Sequence, residues 1–307
     1  MTSPRAELTP QMEHYTFLLE DQPYIGFFQY GNEHKPAFNT DNHGFRISRG
    51  PAGELASVAS ERRPGPVRLL AGSSTVFGVG ATSDAGTMPS RLWARYAPRQ
   101  PWLNFAGQSH NSAQELVLFA LFAHLVPEVE EIVLFSGINN LVLSRLPAEK
   151  QGRHGAFFEC GPGNGDQTVP TAAERIAHAA ELTLRHLKAV HLLARALDAS
   201  LTFVLQPLAS WVREEPAPQE KLLFEELDQI SNFPRLHNDI APMHVGKQYA
   251  RELQDGCDEI GIRFLDMNAV LADAAKPDEW LFVDRVHCVD RGYDLIARLL
   301  AECLGLG

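Results

Sequence analysis

The feature that most restricts the fold of this sequence is a series of short apolar segments separated by helical patterns. The segments are Val67–Ala71, Trp102–Ala106, Ile132–Phe135, Leu201–Leu205 and Ile262–Leu265. Each is rich in Val, Ile, Leu or Phe, which is typical of strands whose two faces are both buried. Such strands occur in parallel sheets that are covered by helices, so this pattern favours a parallel sheet.

Helix signals lie between these segments. The predicted helices begin near Thr87, at a Ser112–Glu115 capping box, at a Thr171–Glu174 capping box, at Gly246 and near Asp290. Strands that alternate with helices imply right-handed βαβ units. We therefore predict an α/β fold, a doubly wound and mostly parallel five-stranded sheet with helices on both faces.

The chain divides into an N-terminal extension and one large domain. Residues 1–65 are rich in Gly, Pro, Asn and His and show no periodicity, so we predict an irregular extension. Residues 66–307 form the predicted α/β domain. Two stretches within it, 147–170 and 207–244, do not fit the alternation. Both follow strands, so we expect them at the carboxyl edge of the sheet as lids or pocket walls.

Charge and composition exclude several classes of function. The formal net charge is −11, from 27 basic and 38 acidic residues, so nothing supplies the positive surface that nucleic acids or anionic membranes require. No apolar run approaches the roughly 20 residues of a membrane span. Residues 1–20 show no signal-peptide pattern, and the four cysteines have no paired spacing. We therefore expect free thiols and a cytoplasmic location.

The first predicted strand leads into a serine between glycines. The segment Gly72–Gly78 reads G-x-S-x-x-x-G, with Ser74 as its serine. It lacks the GxGxxG pattern of dinucleotide sites and the Gly-Lys-Ser/Thr of a P-loop. Val76 excludes the GxSxG nucleophile turn, which needs glycine at that position. None of these three motifs fits, so we predict a serine hydroxyl in a turn at the carboxyl edge of the sheet.

Three further blocks follow at the ends of the second and third strands and before the last helix. They are Asn104–Gly107, Phe135–Asn140 and Phe282–His287. Together with the serine block, and in this order, they resemble the SGNH (GDSL-like) hydrolase family over residues 67–304. The resemblance implies a serine esterase acting on a small-molecule ester, and we expect neither a metal nor a cofactor. The oligomeric state does not follow from the sequence.

A strand order of 2-1-3-4-5 would bring the ends of the first three strands to one point. There Ser74 would be the nucleophile, His287 the base that takes its proton, and Asp284 the carboxylate that orients the imidazole. A tetrahedral oxyanion also needs hydrogen-bond donors. The resemblance assigns these to the backbone N–H groups of Ser74 and Gly107 and to the side-chain amide of Asn139.

Several positions leave alternatives open. Ser73 is a rival nucleophile, Asp290 a rival partner of the imidazole, and Asn140 a rival amide donor. The family usually has Asp at positions 73 and 140, and these departures put the substrate class in doubt. His110 and Asn140 are possible pocket residues, although we favour a solvated loop position for His110.

Other elements have two interpretations each. The segment Asn42–Arg46 resembles an Asn-x-Gly-Phe-Arg element of bacterial relatives, and we favour a turn that packs Phe45 on the sheet. Phe157, Phe158 and Trp211 form an acyl pocket or anchor the inserted loops. The function has two alternatives to ester hydrolysis. One is acyl transfer to an acceptor other than water in a biosynthetic pathway, and the other is a non-catalytic ligand-binding scaffold.

Overall fold

A computed structural model of the chain describes residues 3–16, 19–60, 65–126, 128–151, 170–231, 234 and 237–306. The strands are β1 (Leu19–Gln22), β2 (Gly26–Gln29), β3 (Ser48–Arg49), β4 (Leu55–Ala56), β5 (Val67–Gly72), β6 (Trp102–Ala106), β7 (Val129–Ser136), β8 (Ser200–Leu205) and β9 (Arg263–Asp266). The five predicted apolar segments correspond to β5 to β9.

After α1, the described α-helices lie between the strands β5 to β9 or follow β9. The helices are α1 (Pro4–Leu8), α2 (Ser74–Phe77), α3 (Met88–Arg91), α4 (Ser112–Phe122), α5 (Ile138–Leu143), α6 (Ala148–Gln151), α7 (Ala172–Ala196), α8 (Ala209–Val212), α9 (Pro218–Ile230), α10 (Met243–Ile260), α11 (Met267–Ala274) and α12 (Asp290–Leu304). A π-helical turn at Leu92–Tyr96 extends α3.

The main sheet is parallel and has the order β6-β5-β7-β8-β9, which is the predicted order 2-1-3-4-5. The chain runs one way from β5 to β6 and the other way from β7 to β9. Right-handed crossovers therefore place α3 on one face and α7 and α10 on the other. In agreement, α7 packs against α4, α5 and α10, whereas α12 packs against α3 and α11. The α/β prediction is confirmed.

Strand register brings the candidate residues together. Gly72 of β5 pairs with Ala106 of β6 and with Phe135 of β7, so these three strands end at one level. The residues that follow them thus emerge side by side at the carboxyl edge. Gly72 itself has a φ of +154°, and a Cβ there would overlap the carbonyl oxygen of Phe135. Only glycine allows the chain to leave β5 this close to β7.

Two helix starts differ from the prediction. The capping box of α4 is formed by Asn111, whose side chain accepts from the N–H of Gln114 at 3.1 Å, rather than by Ser112 and Glu115. Glu115 cannot reach back to the backbone because its side chain points into the protein interior. Helix α10 begins at Met243, three residues before the predicted start.

The short helices α2, α5, α8 and α11 follow the ends of β5, β7, β8 and β9 and were absent from the prediction. Helices of four to eight residues span one or two turns, which is too short for an apolar period to be recognised. Two of them, α2 and α5, begin at or next to residues of the candidate site.

The N-terminal segment is more regular than predicted and packs on the domain. It contains α1 and two antiparallel strand pairs, β1–β2 and β3–β4. Phe28, Phe38 and Phe45 are buried in the same hydrophobic cluster as the sheet. The rings of Phe45 and Phe105 of β6 stack at 5.1 Å. The predicted turn that packs Phe45 on the sheet is therefore confirmed.

The structure describes most of the inserted stretch 207–244 but only the ends of 147–170. Most of 147–170, with Phe157, Phe158 and Cys160, lies outside the described residues. In 207–244, the buried Trp211 donates its indole N–H to the Ile240 carbonyl at 2.8 Å, so it anchors this insert.

Helix α9 in the same insert is fixed to the C-terminal block. The buried carboxylate of Glu220 accepts from the N–H groups of Leu281 at 2.8 Å and Phe282 at 3.0 Å. Farther along α9, Asp228 pairs with Arg285, which lies between the two candidate residues of that block. Helix α9 is therefore attached to the loop that carries Asp284 and His287.

A buried carboxyl group lies beneath the end of β7. Glu115 of α4 is 2% exposed, and its Oε1 accepts from the Ser136 hydroxyl at 2.5 Å. Its Oε2 has no hydrogen-bond partner among the described residues. Burial raises the pKa of Glu115 to about 8, although the Ser136 hydrogen bond lowers it in part. The side chain is therefore mostly protonated at neutral pH.

This burial predicts an unusual dependence of stability on pH. Between the ordinary pKa of 4.5 and the folded value of about 8, the folded state holds a proton that the unfolded chain has lost. The free energy of unfolding should fall across this window as pH rises, by at most about 1.4 kcal/mol per pH unit from this group. Glu115→Gln removes this titratable group. The free energy of unfolding of the variant should therefore rise relative to that of the parent as pH increases.

Urea unfolding at pH 5, 6, 7 and 8 measures the effect. The matched control is Glu252→Gln, the same change at an exposed position of α10. A stability difference between the parent and Glu115→Gln that stays constant over these pH values would contradict the prediction.

Candidate active site

Ser74 is the first residue of α2 and stands at the carboxyl edge of the sheet, directly after the turn at Gly72. Its side chain is partly exposed, whereas Ser73 is 1% exposed. The first N–H groups of a helix have no partner within the helix. Ser74 therefore presents both its hydroxyl and its backbone N–H at this edge. The Ser73 hydroxyl is buried without a hydrogen-bond partner among the described residues.

His287 lies beside this serine, although the two are far apart in the chain. Its Nε2 is 2.7 Å from Ser74 Oγ, and its Nδ1 is 2.8 Å from Asp284 Oδ2. Because a carboxylate only accepts hydrogen bonds, Nδ1 carries the proton. In the neutral ring Nε2 then accepts from the Ser74 hydroxyl, which is the arrangement a general base requires.

The loop that contains Asp284 orients its carboxylate toward the imidazole. It is 4% exposed, and its Oδ1 accepts from the backbone N–H groups of Val286 and His287, each at 2.8 Å. Burial raises its pKa, but the charge of His287 and these hydrogen bonds outweigh burial and lower it to about 2. The group is thus a carboxylate at neutral pH. The rival Asp290 instead accepts from the Thr82 N–H at 2.8 Å.

The three candidate oxyanion donors differ in whether their N–H groups already donate a hydrogen bond within the protein. Gly107 donates its N–H to the Gly72 carbonyl at 3.2 Å, so this donor is already engaged. Asn139 donates one amide N–H to the His110 carbonyl at 2.7 Å, which leaves its second N–H. The N–H of Ser74 begins a helix. Of the three, Asn139 and Ser74 have the donor capacity that a substrate oxygen needs.

The predicted solvated loop position of His110 was wrong. It is completely buried, not solvated, and its Nε2 donates to the Phe27 carbonyl at 3.0 Å. Burial lowers its pKa to about 4, so the ring is neutral. A Cβ at Gly107 would overlap this ring, which explains the glycine there. His110 therefore supports the loop from beneath, and its side chain has no exposed surface among the described residues.

Asn140 is likewise a buried support. It is 2% exposed and donates to the hydroxyls of Ser112 and Thr183, both at 2.7 Å. Its Oδ1 accepts from the Ser112 N–H at 3.2 Å. These contacts join α5, which carries Asn139, to α4 and α7. The amide that remains available at the edge is that of Asn139.

Sequence reasoning missed three supporting side chains. Asn104 donates from Nδ2 to the Val76 carbonyl at 2.8 Å and so holds the end of α2. Gln206, the residue after β8, donates to the Thr75 hydroxyl at 3.2 Å. Arg46 donates to two further carbonyls at the end of α2. The signals were a polar residue in a buried strand for Asn104, one just after a strand for Gln206, and membership of the Asn42–Arg46 element for Arg46.

Among the described residues, no cluster of His, Cys, Asp and Glu has the composition of a metal site. None of the helices there is long and apolar enough to cross a membrane.

Comparisons with known proteins gave structural matches only. No protein-family model matches the chain, and no curated protein matches its sequence. A carbohydrate acetylesterase family member from Sinorhizobium meliloti is 14% identical, with 78% of this chain and 97% of that chain covered and a TM-score of 0.49. A catalytic mutant of an acetylxylan esterase from Geobacillus stearothermophilus is 14% identical, with coverages of 81% and 98% and a TM-score of 0.49.

A member of the lipolytic G-D-S-L family from Veillonella parvula is 15% identical, with 78% of this chain and 97% of that chain covered and a TM-score of 0.47. In the order of its sequence blocks and in the arrangement of Ser74, His287 and Asp284, the chain resembles the SGNH (GDSL-like) hydrolases.

Proposed function

We propose that the protein is a serine esterase that hydrolyses a small-molecule carboxylic ester through an acyl-enzyme. One observation carries the proposal, the continuous hydrogen-bonded line from Ser74 Oγ through the His287 imidazole to the Asp284 carboxylate, with distances of 2.7 and 2.8 Å. A serine hydroxyl is a weak nucleophile unless a base takes its proton, and this line supplies that base.

In the acylation step, Ser74 Oγ attacks the ester carbonyl carbon while His287 Nε2 takes the hydroxyl proton. The carbonyl oxygen becomes an oxyanion that accepts from the Ser74 N–H and the free N–H of Asn139. Collapse breaks the bond to the alcohol oxygen, which leaves with the proton from His287. Asp284 keeps the imidazolium oriented and stabilised during the transfer.

In the second step, water gives a proton to His287 and attacks the acyl-enzyme. The second tetrahedral intermediate releases the free acid and returns the proton to Ser74. An alcohol or amine in place of water would make the same site an acyltransferase. Product analysis with candidate acceptors decides between them, because free acid as the sole product in every case argues against transfer.

Ser74→Ala should lower kcat for p-nitrophenyl acetate by about a thousandfold or more while the fold persists. Labelling by a fluorophosphonate probe should disappear in the same variant. Ser73→Ala is the matched control, because its buried hydroxyl has no hydrogen bond to lose among the described residues. If the parent is never labelled, the result favours the non-catalytic scaffold. If labelling is lost in Ser73→Ala and kept in Ser74→Ala, the nucleophile is Ser73.

Asn139→Ala should lower kcat by about a hundredfold or more with a smaller change in KM, because an oxyanion donor acts mainly in the transition state. Steady-state kinetics at neutral pH measures both constants, and circular dichroism checks the fold. The proposed role of Asn139 is wrong if the folded variant keeps the parental kcat.

A further inference from the structure

Arg46 is a completely buried arginine at the C-terminal end of the nucleophile helix α2. Its Nη1 donates to the carbonyl of Phe77 at 2.9 Å and to that of Gly78 at 2.9 Å. Gly78 ends α2 with a φ of +90°. The guanidinium thus lies where the last carbonyls of a helix lack partners within the helix and where a positive charge is favourable.

Helix α2 has only four residues, so its geometry depends on partners outside it. At its C-terminal end, Asn104 binds the Val76 carbonyl, and Arg46 binds those of Phe77 and Gly78. We expect the loss of these contacts to displace the turn as a unit. Because Ser74 is the first residue of the turn, its Oγ would move relative to His287.

The guanidinium is itself held in one orientation. Its Nε donates to Asp84 Oδ1 at 3.0 Å, and Asp84 in turn accepts from the backbone and side-chain amide of Asn39, at 3.1 and 2.7 Å. The Tyr15 hydroxyl accepts from Nη1 at 3.2 Å. The Phe77 ring, with its centroid 5.3 Å away, covers one side. Arg46 therefore has little freedom to follow a displaced turn.

We propose that Arg46, contributed by the N-terminal segment, is a positioning residue that sets the place of Ser74 Oγ through the carbonyls of Phe77 and Gly78. The inference rests on the proposed function, because it concerns the same nucleophile. It also makes residues before the sheet part of the active-site scaffold. Lysine cannot replace arginine here, since one ammonium does not reach Asp84 and both carbonyls with the geometry of a planar fork.

The test compares Arg46→Lys and Arg46→Met with the parent, at a temperature well below the unfolding midpoint of each. The control is Arg68→Met at the opposite end of β5, where Arg68 pairs with Glu130 at 3.1 Å and lies over the Trp102 ring. Both variants of Arg46 should lose about tenfold or more in kcat and in the rate of fluorophosphonate labelling, with KM changed by less than about twofold. The control should lose stability and keep kcat.

Chemical rescue separates positioning from general destabilisation. Added guanidinium at millimolar concentration should restore part of the kcat of Arg46→Ala and none of that of Ser74→Ala. If Arg46→Met does not fold, Arg46→Lys decides, because it keeps the charge and most of the stem. A folded variant of Arg46 with parental kcat and labelling rate overturns the inference. A parent that neither turns over esters nor is labelled overturns the proposed function instead.

Discussion

The candidate site depends on the register of three parallel strands. Gly72, Ala106 and Phe135 lie level at the ends of β5, β6 and β7, so the loops that follow must share one edge of the sheet. Backbone hydrogen bonds fix this register, and both faces of the strands are packed against other elements, so a slip would disrupt the packing of the core. The strand register therefore brings Ser74, Gly107 and Asn139 to the same edge of the sheet.

Buried polar groups then hold the loops that the sheet brings together. Arg46 binds the end of α2, and Arg175 binds the end of α5 by donating to the Leu141 carbonyl at 2.8 Å. Both arginines are almost fully buried. Each therefore supports a short helix at or next to a candidate residue, from the end where helix carbonyls lack partners. A charge this deep is costly unless paired, and Asp84 and Asp239 are the partners.

Much of the fold and of the candidate site could be predicted from local patterns. The five apolar segments correspond to the five strands of the main sheet, and the capping box at Thr171 marks the start of α7. The roles of Ser74, His287 and Asp284 are a proposal, and the resemblance of the four sequence blocks to the SGNH (GDSL-like) hydrolases already pointed to these residues. The environment of His110 was not predictable, because burial depends on what packs over a loop. The residues that cover it, Phe27 and Phe28, come from the N-terminal segment.

The sequence by itself determined which residue types stand at the strand ends, because apolar runs and turn glycines act over a few neighbouring residues. It also determined the α/β class, since strands that alternate with helices have few ways to pack. Only the tertiary structure decided which donors remain available, for instance that the Gly107 N–H is bound to the Gly72 carbonyl while Asn139 keeps one amide hydrogen. It likewise decided that Arg46 reaches α2. These facts depend on contacts between residues distant in the chain, whose geometry is fixed only when the whole core is packed.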